Sequence, residues 1–168
     1  MRELAFLNKG IIIKVSDERG EETKQNIFQF EGGIASFIQY LNKTKKPIHS
    51  QPIYFESVVD NITVEIALEY NEGYNENIFS FANNINTREG GSHLVGFKTG
   101  LTRVINDFLK KSSFSKKIPE GGIVGDDTRE GLTAVISVKL PDPQFEGQTK
   151  SKLGNSEVKG IIESIISD

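Results

Sequence analysis

Residues 132–140 alternate without a break, with Leu132, Ala134, Ile136, Val138 and Leu140 on one side and Thr133, Val135, Ser137 and Lys139 on the other. That is the period of a half-buried strand. Pro141 and Pro143 then stop it, because neither can donate a ladder hydrogen bond. A second run is equally clean: Ile62, Val64, Ile66, Leu68 and Tyr70 face one way, and Thr63, Glu65 and Glu69 the other. It reads as a strand of an antiparallel sheet with one wet face, on which Glu65 and Glu69 are solvated. Strands of this kind commit the chain to a fold built on a sheet.

The remaining periodicity fills in around them. Residues 11–15 and 26–30 read as strands joined by the charged turn Asp17–Gly20. Residues 53–59 pair with 62–70 about Asp60-Asn61, and residues 77–82 form another short strand. Behind Gly32-Gly33, the residues Ile34, Phe37, Ile38 and Leu41 make one apolar helix face. Residues 43–52, polar and bounded by proline, are a loop. From Ser92 the period is helical: His93, Phe97, Leu101, Val104, Ile105 and Phe108 fall in one stripe of about 120°, with Arg103 and Lys110 on the opposite side. A basic, serine-rich linker (Lys110–Lys117) and a short acidic helix near 126–131 follow. The last helix carries Val158, Ile161, Ile162, Ile165 and Ile166 and no closing glycine, so it is expected to continue in a longer protein. Likewise Met1 reads as an added start before a helix remnant. Pattern alone therefore gives an α+β domain, a mixed and largely antiparallel sheet with helices on one face.

A chain of 168 residues suits one domain and can bury about 70% of its unfolded surface. It has no cysteine, hence no disulfide, thiolate metal site or cysteine nucleophile, as expected of a cytoplasmic protein. No apolar run approaches the roughly 18 residues of a membrane span, and the first residues lack a signal peptide's pattern, so no membrane partner is expected. The net charge of −3 argues against a protein coated in nucleic acid but leaves room for a local basic lane.

Familiar catalytic constellations are missing. His49 and His93 are the only histidines, and neither has a histidine or carboxylate one helical turn on, which argues against a metal site. His93 lies on an apolar stripe and reads as a packed, hydrogen-bonded residue rather than a base. Asp126-Asp127 could be taken for Mg²⁺ ligands, but at the start of a short helix they are better explained as complementing its dipole. Glu-Gly-Gly recurs at 31–33, 89–91 and 120–122 with unequal spacing, which suits tight turns entering helices rather than a repeat. Two features remain. After Pro143 comes a polar loop with Gln148, Thr149 and Lys150; such a lysine can place a point charge on a phosphate and the glutamine can add a neutral donor, although an isolated Gln-Thr-Lys is more often a solvated loop. Between residues 98 and 117 six basic groups (Lys98, Arg103, Lys110, Lys111, Lys116, Lys117) face one acid, Asp107, which is either a solvated helix face or a phosphate-binding lane.

Five blocks together resemble one family, and they stand in that family's order. Arg2–Asn8 looks like the end of an ATPase domain. Phe81–Thr87 with Glu89–His93, Gly125–Leu132, Pro141–Lys150 and Asn155–Val158 look like internal blocks of the ATP-hydrolysing chain of type IIA topoisomerases, bacterial gyrase B and its topoisomerase IV counterpart. The resemblance implies that residues 1–8 are a remnant of the preceding GHKL ATPase domain and that 9–168 are the transducer domain. It implies a fold like domain two of ribosomal protein S-five, shared with MutL, with a left-handed β-α-β crossover against the usual rule. It also implies that Lys150 and Gln148 contact the γ-phosphate of ATP, whose Mg²⁺ ligands and general base lie outside these residues. Lys98, with Arg103 and Lys110, is expected to line a cavity for double-stranded DNA; Lys98 stands where other members carry arginine, keeping the charge but losing bidentate geometry. The expected partners are gyrase A, in a heterotetramer, and a second gyrase B on ATP binding, with negative supercoiling as the outcome. The alternatives are decatenation, as in topoisomerase IV, and a non-catalytic nucleic-acid-binding module.

Overall fold

A computed structural model describes residues 1–167. The chain opens with helix α1 (Arg2–Phe6), a separate antiparallel hairpin of β1 (Ile13–Asp17) and β2 (Lys24–Phe28), and helix α2 (Gly33–Leu41). Strands β3 (Ile53–Val59), β4 (Ile62–Tyr70), β5 (Asn77–Ala82) and β6 (Ile85–Asn86) follow, then α3 (Ser92–Lys111), a 3-10 turn at Ser115–Lys117, and α4 (Gly125–Thr128). Strand β7 (Leu132–Lys139), a short hairpin of β8 (Phe145–Glu146) and β9 (Lys152–Leu153), and α5 (Ser156–Ser167) complete it. The main sheet has the order β3-β4-β7-β5-β6. Every neighbouring pair is antiparallel except β5 and β7, which are parallel and joined by the crossover through α3. This is an α+β fold on a mixed, mostly antiparallel sheet.

Local chemistry explains the tight connections. Asp60 and Asn61 have φ of 50° and 62°, and Asn83 and Asn84 have 48° and 65°. Two successive left-handed residues give the turn whose twist matches that of paired strands, and Asn and Asp tolerate it best among residues with a side chain. Strand β6, absent from the sequence expectation, is the product of that second Asn-Asn turn.

One face of the sheet carries the main core. Phe97 and Leu101 of α3 and Val158 and Ile162 of α5 pack over Val64, Ile66, Ala134 and Ile136. Full burial of each large side chain contributes roughly 1.5–3 kcal/mol. The two helices run side by side in the same direction, and small residues let them approach: a Cβ at Gly96 would lie 2.6 Å from Lys159 O, and one at Gly100 would lie 3.4 Å from Glu163 Cα. The apolar stripe of α3 is shorter than its periodicity suggests. Phe97 and Leu101 are buried and Ile105 packs partly buried against the core, but Phe108 is 68% exposed.

The opposite face is not wet. Phe6 and Leu7, just at and after α1, join Ile34, Phe37 and Ile38 of α2 in a second core over Ala67, Phe81 and Val135. The Phe6 ring stacks on Phe30 and Phe37, with centroids 3.6 and 4.8 Å away. Helices therefore cover both faces, α3 and α5 on one and α2 on the other. Glu69 is only 4% exposed, and it accepts a 2.7 Å hydrogen bond from Asn42 Nδ2. Asn42 in turn accepts one from Thr133, whose oxygen receives Lys45 Nζ. Glu65 is also buried; it accepts from the Tyr54 hydroxyl at 3.0 Å and lies 3.9 Å from Lys139 Nζ. Burial, with Glu65 and then Glu56, raises the Tyr54 hydroxyl well above its ordinary pKa. Alternation placed these carboxylates correctly on the second face, but that face is covered, and Asn42 and Tyr54 make them hydrogen-bonded rather than solvated.

Candidate functional site

Two prolines end the last sheet strand and send the chain into the β8–β9 hairpin, in which Phe145 faces Leu153 and Glu146 faces Lys152. Its tip holds Gln148, Thr149 and Lys150, all exposed. Gly147 (φ 75°) and Lys150 (φ 53°) are both left-handed. For a lysine that conformation costs about 1 kcal/mol, and strain held at an exposed tip is a reason to look for a role there. The Lys150 ammonium lies 5.9 Å above the Phe145 ring, a weak contact that an anion can compete away.

Both legs of the hairpin are tied down. On one side Glu89 N–H donates to Ser151 O at 2.9 Å, and Leu153 N–H donates to Gly90 O at 3.0 Å. Gly91 and Leu153 form a parallel bridge. On the other side Asn155 Oδ1 accepts from Gln144 N–H at 2.7 Å, while its Nδ2 donates to Glu157 Oε1 at 2.8 Å and to Asp142 O at 3.3 Å. The hairpin therefore joins the segment entering α3 to the start of α5. The turn reading of Glu89-Gly90-Gly91 is right, but sequence reasoning missed its second use as a docking edge. The apolar pair Phe145 and Leu153 flanking a polar tip was the available signal for the hairpin.

Next to that edge His93 is fully buried, and its Nε2 lies 2.9 Å from Thr87 Oγ1. Burial lowers its pKa to about 4, so the ring is neutral at physiological pH. It packs and hydrogen-bonds as expected, buried away from solvent.

The basic residues separate into groups. Lys98, with a side chain 33% exposed, pairs with Glu76, which also receives Arg129 Nε at 2.7 Å. Burial would raise the Glu76 carboxyl, but Lys98 and Arg129 together hold it below its ordinary value. Asp126 pairs with Arg129 at 2.6 Å, which gives the acidic helix start a charge partner as well as a dipole. Arg103 is not turned away from the core helices: its guanidinium donates to Glu163 O at 2.9 Å and to the Ser167 hydroxyl, both on α5. Lys110 is the freest of the three, 70% exposed, with Asp107 at 3.9 Å. Among the described residues no group of three or more His, Asp or Glu is placed to hold a metal ion.

The fold is shared with ATP-binding regions of bacterial topoisomerases. The ATPase domain of Thermus thermophilus gyrase B matches with a TM-score of 0.83 at 36% identity, covering 99% of this chain and 44% of that one. The ATP-binding domain of Francisella tularensis topoisomerase IV matches at 0.80 and 27% identity, covering 99% and 44%. In sequence, the DNA gyrase B protein of Clostridium acetobutylicum is 62% identical over all of this chain, and that of Halalkalibacterium halodurans is 57% identical. The family model for DNA gyrase B matches residues 33–168. The chain belongs to the DNA gyrase B family, and it spans 26% of the length of these two relatives.

Proposed function

We propose that this chain is the transducer region of a gyrase B protein, with residues 1–8 closing the preceding ATPase domain and 9–168 coupling ATP use to DNA strand passage. The parent protein is an ATP-hydrolysing DNA topoisomerase that works in the cytoplasm with gyrase A and a second gyrase B on double-stranded DNA. The high identity to gyrase B sequences favours supercoiling over decatenation as its outcome.

The observation that carries this reading is the exposed Lys150, held left-handed on a hairpin whose legs are bonded to the segment entering α3 and to α5. Magnesium-bound ATP, held by the adjoining domain, supplies the phosphoryl group. Lys150 places its ammonium against the γ-phosphate and stabilises charge that builds up on it, while Gln148 donates a neutral hydrogen bond. Loss of phosphate frees the tip, and the hairpin passes that change to both helices. Lys98, Arg103 and Lys110 meet DNA through phosphate alone, in a sequence-independent and salt-sensitive way. Their exposures rank Lys110 first and Lys98 last.

The test is ATP hydrolysis by the full-length protein. Lys150→Ala should lower turnover about 10²–10³-fold, the usual cost of removing a preorganised charge stabiliser, with nucleotide binding retained. Gln148→Ala should have a smaller effect in the same direction. Wild-type turnover by Lys150→Ala would sink the phosphate contact.

A further inference from the structure

The docking edge at the start of α3 has a geometry that only one residue type fits. Gly91 sits at φ 134°, and a Cβ there would lie 2.3 Å from Leu153 O, 2.5 Å from Leu153 N and 2.8 Å from Leu153 Cα. All three are backbone atoms of β9, so no side-chain rearrangement relieves the overlap. The flanking hydrogen bonds, Glu89 N–H to Ser151 O and Leu153 N–H to Gly90 O, require the two backbones at this separation. Ser151 directly follows Lys150, so the height of the strand over Gly91 sets where the lysine tip stands. Asn155 fixes the other leg by bridging Gln144 and Glu157.

From this we propose that Gly91 is a positioning residue for Lys150: it is the seat on which the hairpin rests, and Asn155 is its second anchor. The inference rests on the reading of Lys150 as the phosphate contact. It adds that the lysine's place is set by backbone contact with the segment entering α3, some sixty residues earlier in the chain (Gly91 to Lys150). A methyl group at position 91 pushes β9 away, and a shift of about 1 Å at a catalytic group costs roughly 10²-fold in rate.

The experiment compares Gly91→Ala, Lys150→Ala and the double variant in the full-length protein, with hydrogen exchange followed in parallel. Gly91→Ala should speed exchange of the Leu153 and Glu89 amides while leaving those of β7 protected. It should lower kcat about 10²-fold with KM for ATP unchanged, and the double variant should be no slower than Lys150→Ala alone. Asn155→Ala, which leaves the glycine seat intact, should give the same split of kcat from KM and guards against a folding defect in Gly91→Ala. Loss of Leu153 protection with wild-type kcat, or multiplicative losses in the double variant, would overturn the proposal while leaving the phosphate contact standing. Wild-type turnover by Lys150→Ala would instead remove the phosphate contact, and the positioning role with it.

Discussion

At the scale of single residues, burial decides which polar groups are chemistry and which are structure. His93 illustrates the second case. Its ring is neutral when folded because burial lowers its pKa to about 4, against 6.5 for an ordinary histidine. The unfolded chain therefore binds a proton there between those two values that the folded chain does not. Stability should be fully present above about pH 6.5 and fall as the pH drops toward 4, by an amount on the order of 3 kcal/mol. Denaturant midpoints measured from pH 7 to 4.5 should fall less steeply for His93→Gln, which keeps a donor for Thr87; equal slopes would show that another group governs the acid limb. The buried nature of His93 was legible in its place on an apolar stripe. The engagement of Arg103 with α5 was not, because a helical wheel does not say which neighbour lies beside which face.

At the scale of elements, the α3–α5 contact turns on glycines that propensity alone would replace. A Cβ at Gly96 would meet Lys159 O at 2.6 Å, whereas nothing lies within 4 Å of one at Gly160. Alanine is the better helix former at both positions by about 1 kcal/mol. Gly96→Ala should nevertheless destabilise by about 1–3 kcal/mol through overpacking against backbone, while Gly160→Ala should stabilise by about 0.5–1 kcal/mol. Thermal unfolding of the two variants settles it, and shifts of the same sign would mean that the helices adjust their spacing freely. The strands at 53–59, 62–70 and 77–82 could be read from local pattern and turn signals, even though burial along 62–70 and 77–82 does not alternate. Strand β6 and the β8–β9 hairpin are two residues per strand, too short for any period to register.

Across the whole molecule, the two cores couple the hairpin, α3 and α5 to a sheet that is covered on both faces. The basic groups are distributed unevenly over this body, with Lys98 and Arg103 engaged by Glu76 and Glu163 and Lys110 extending into solvent. In the full-length protein, Lys110→Ala should reduce the slope of log affinity for duplex DNA against log salt by about 1, the effect of one lost phosphate contact. Lys98→Ala should change it less, since Lys98 must first leave Glu76. An unchanged slope in both single variants would move the DNA lane to another surface. The isolated chain, with its net charge of −3, should bind duplex DNA weakly at physiological salt, and tight salt-dependent binding would favour the stand-alone nucleic-acid module.

The order of residues along the chain by itself determined the main strands, the three amphipathic helices, the turn at Asp60-Asn61, the packed state of His93 and the family resemblance. Each of these is written in local period, turn chemistry or contiguous motif. Only the tertiary structure decided that Glu65 and Glu69 are buried, since Tyr54 and Lys139 flank the first and Asn42 bonds the second. It alone decided that Phe108 is exposed and that Gly91 lies against the backbone of Leu153. Alternation reports which side of a strand a residue faces, and what covers that side depends on elements brought together from elsewhere in the chain.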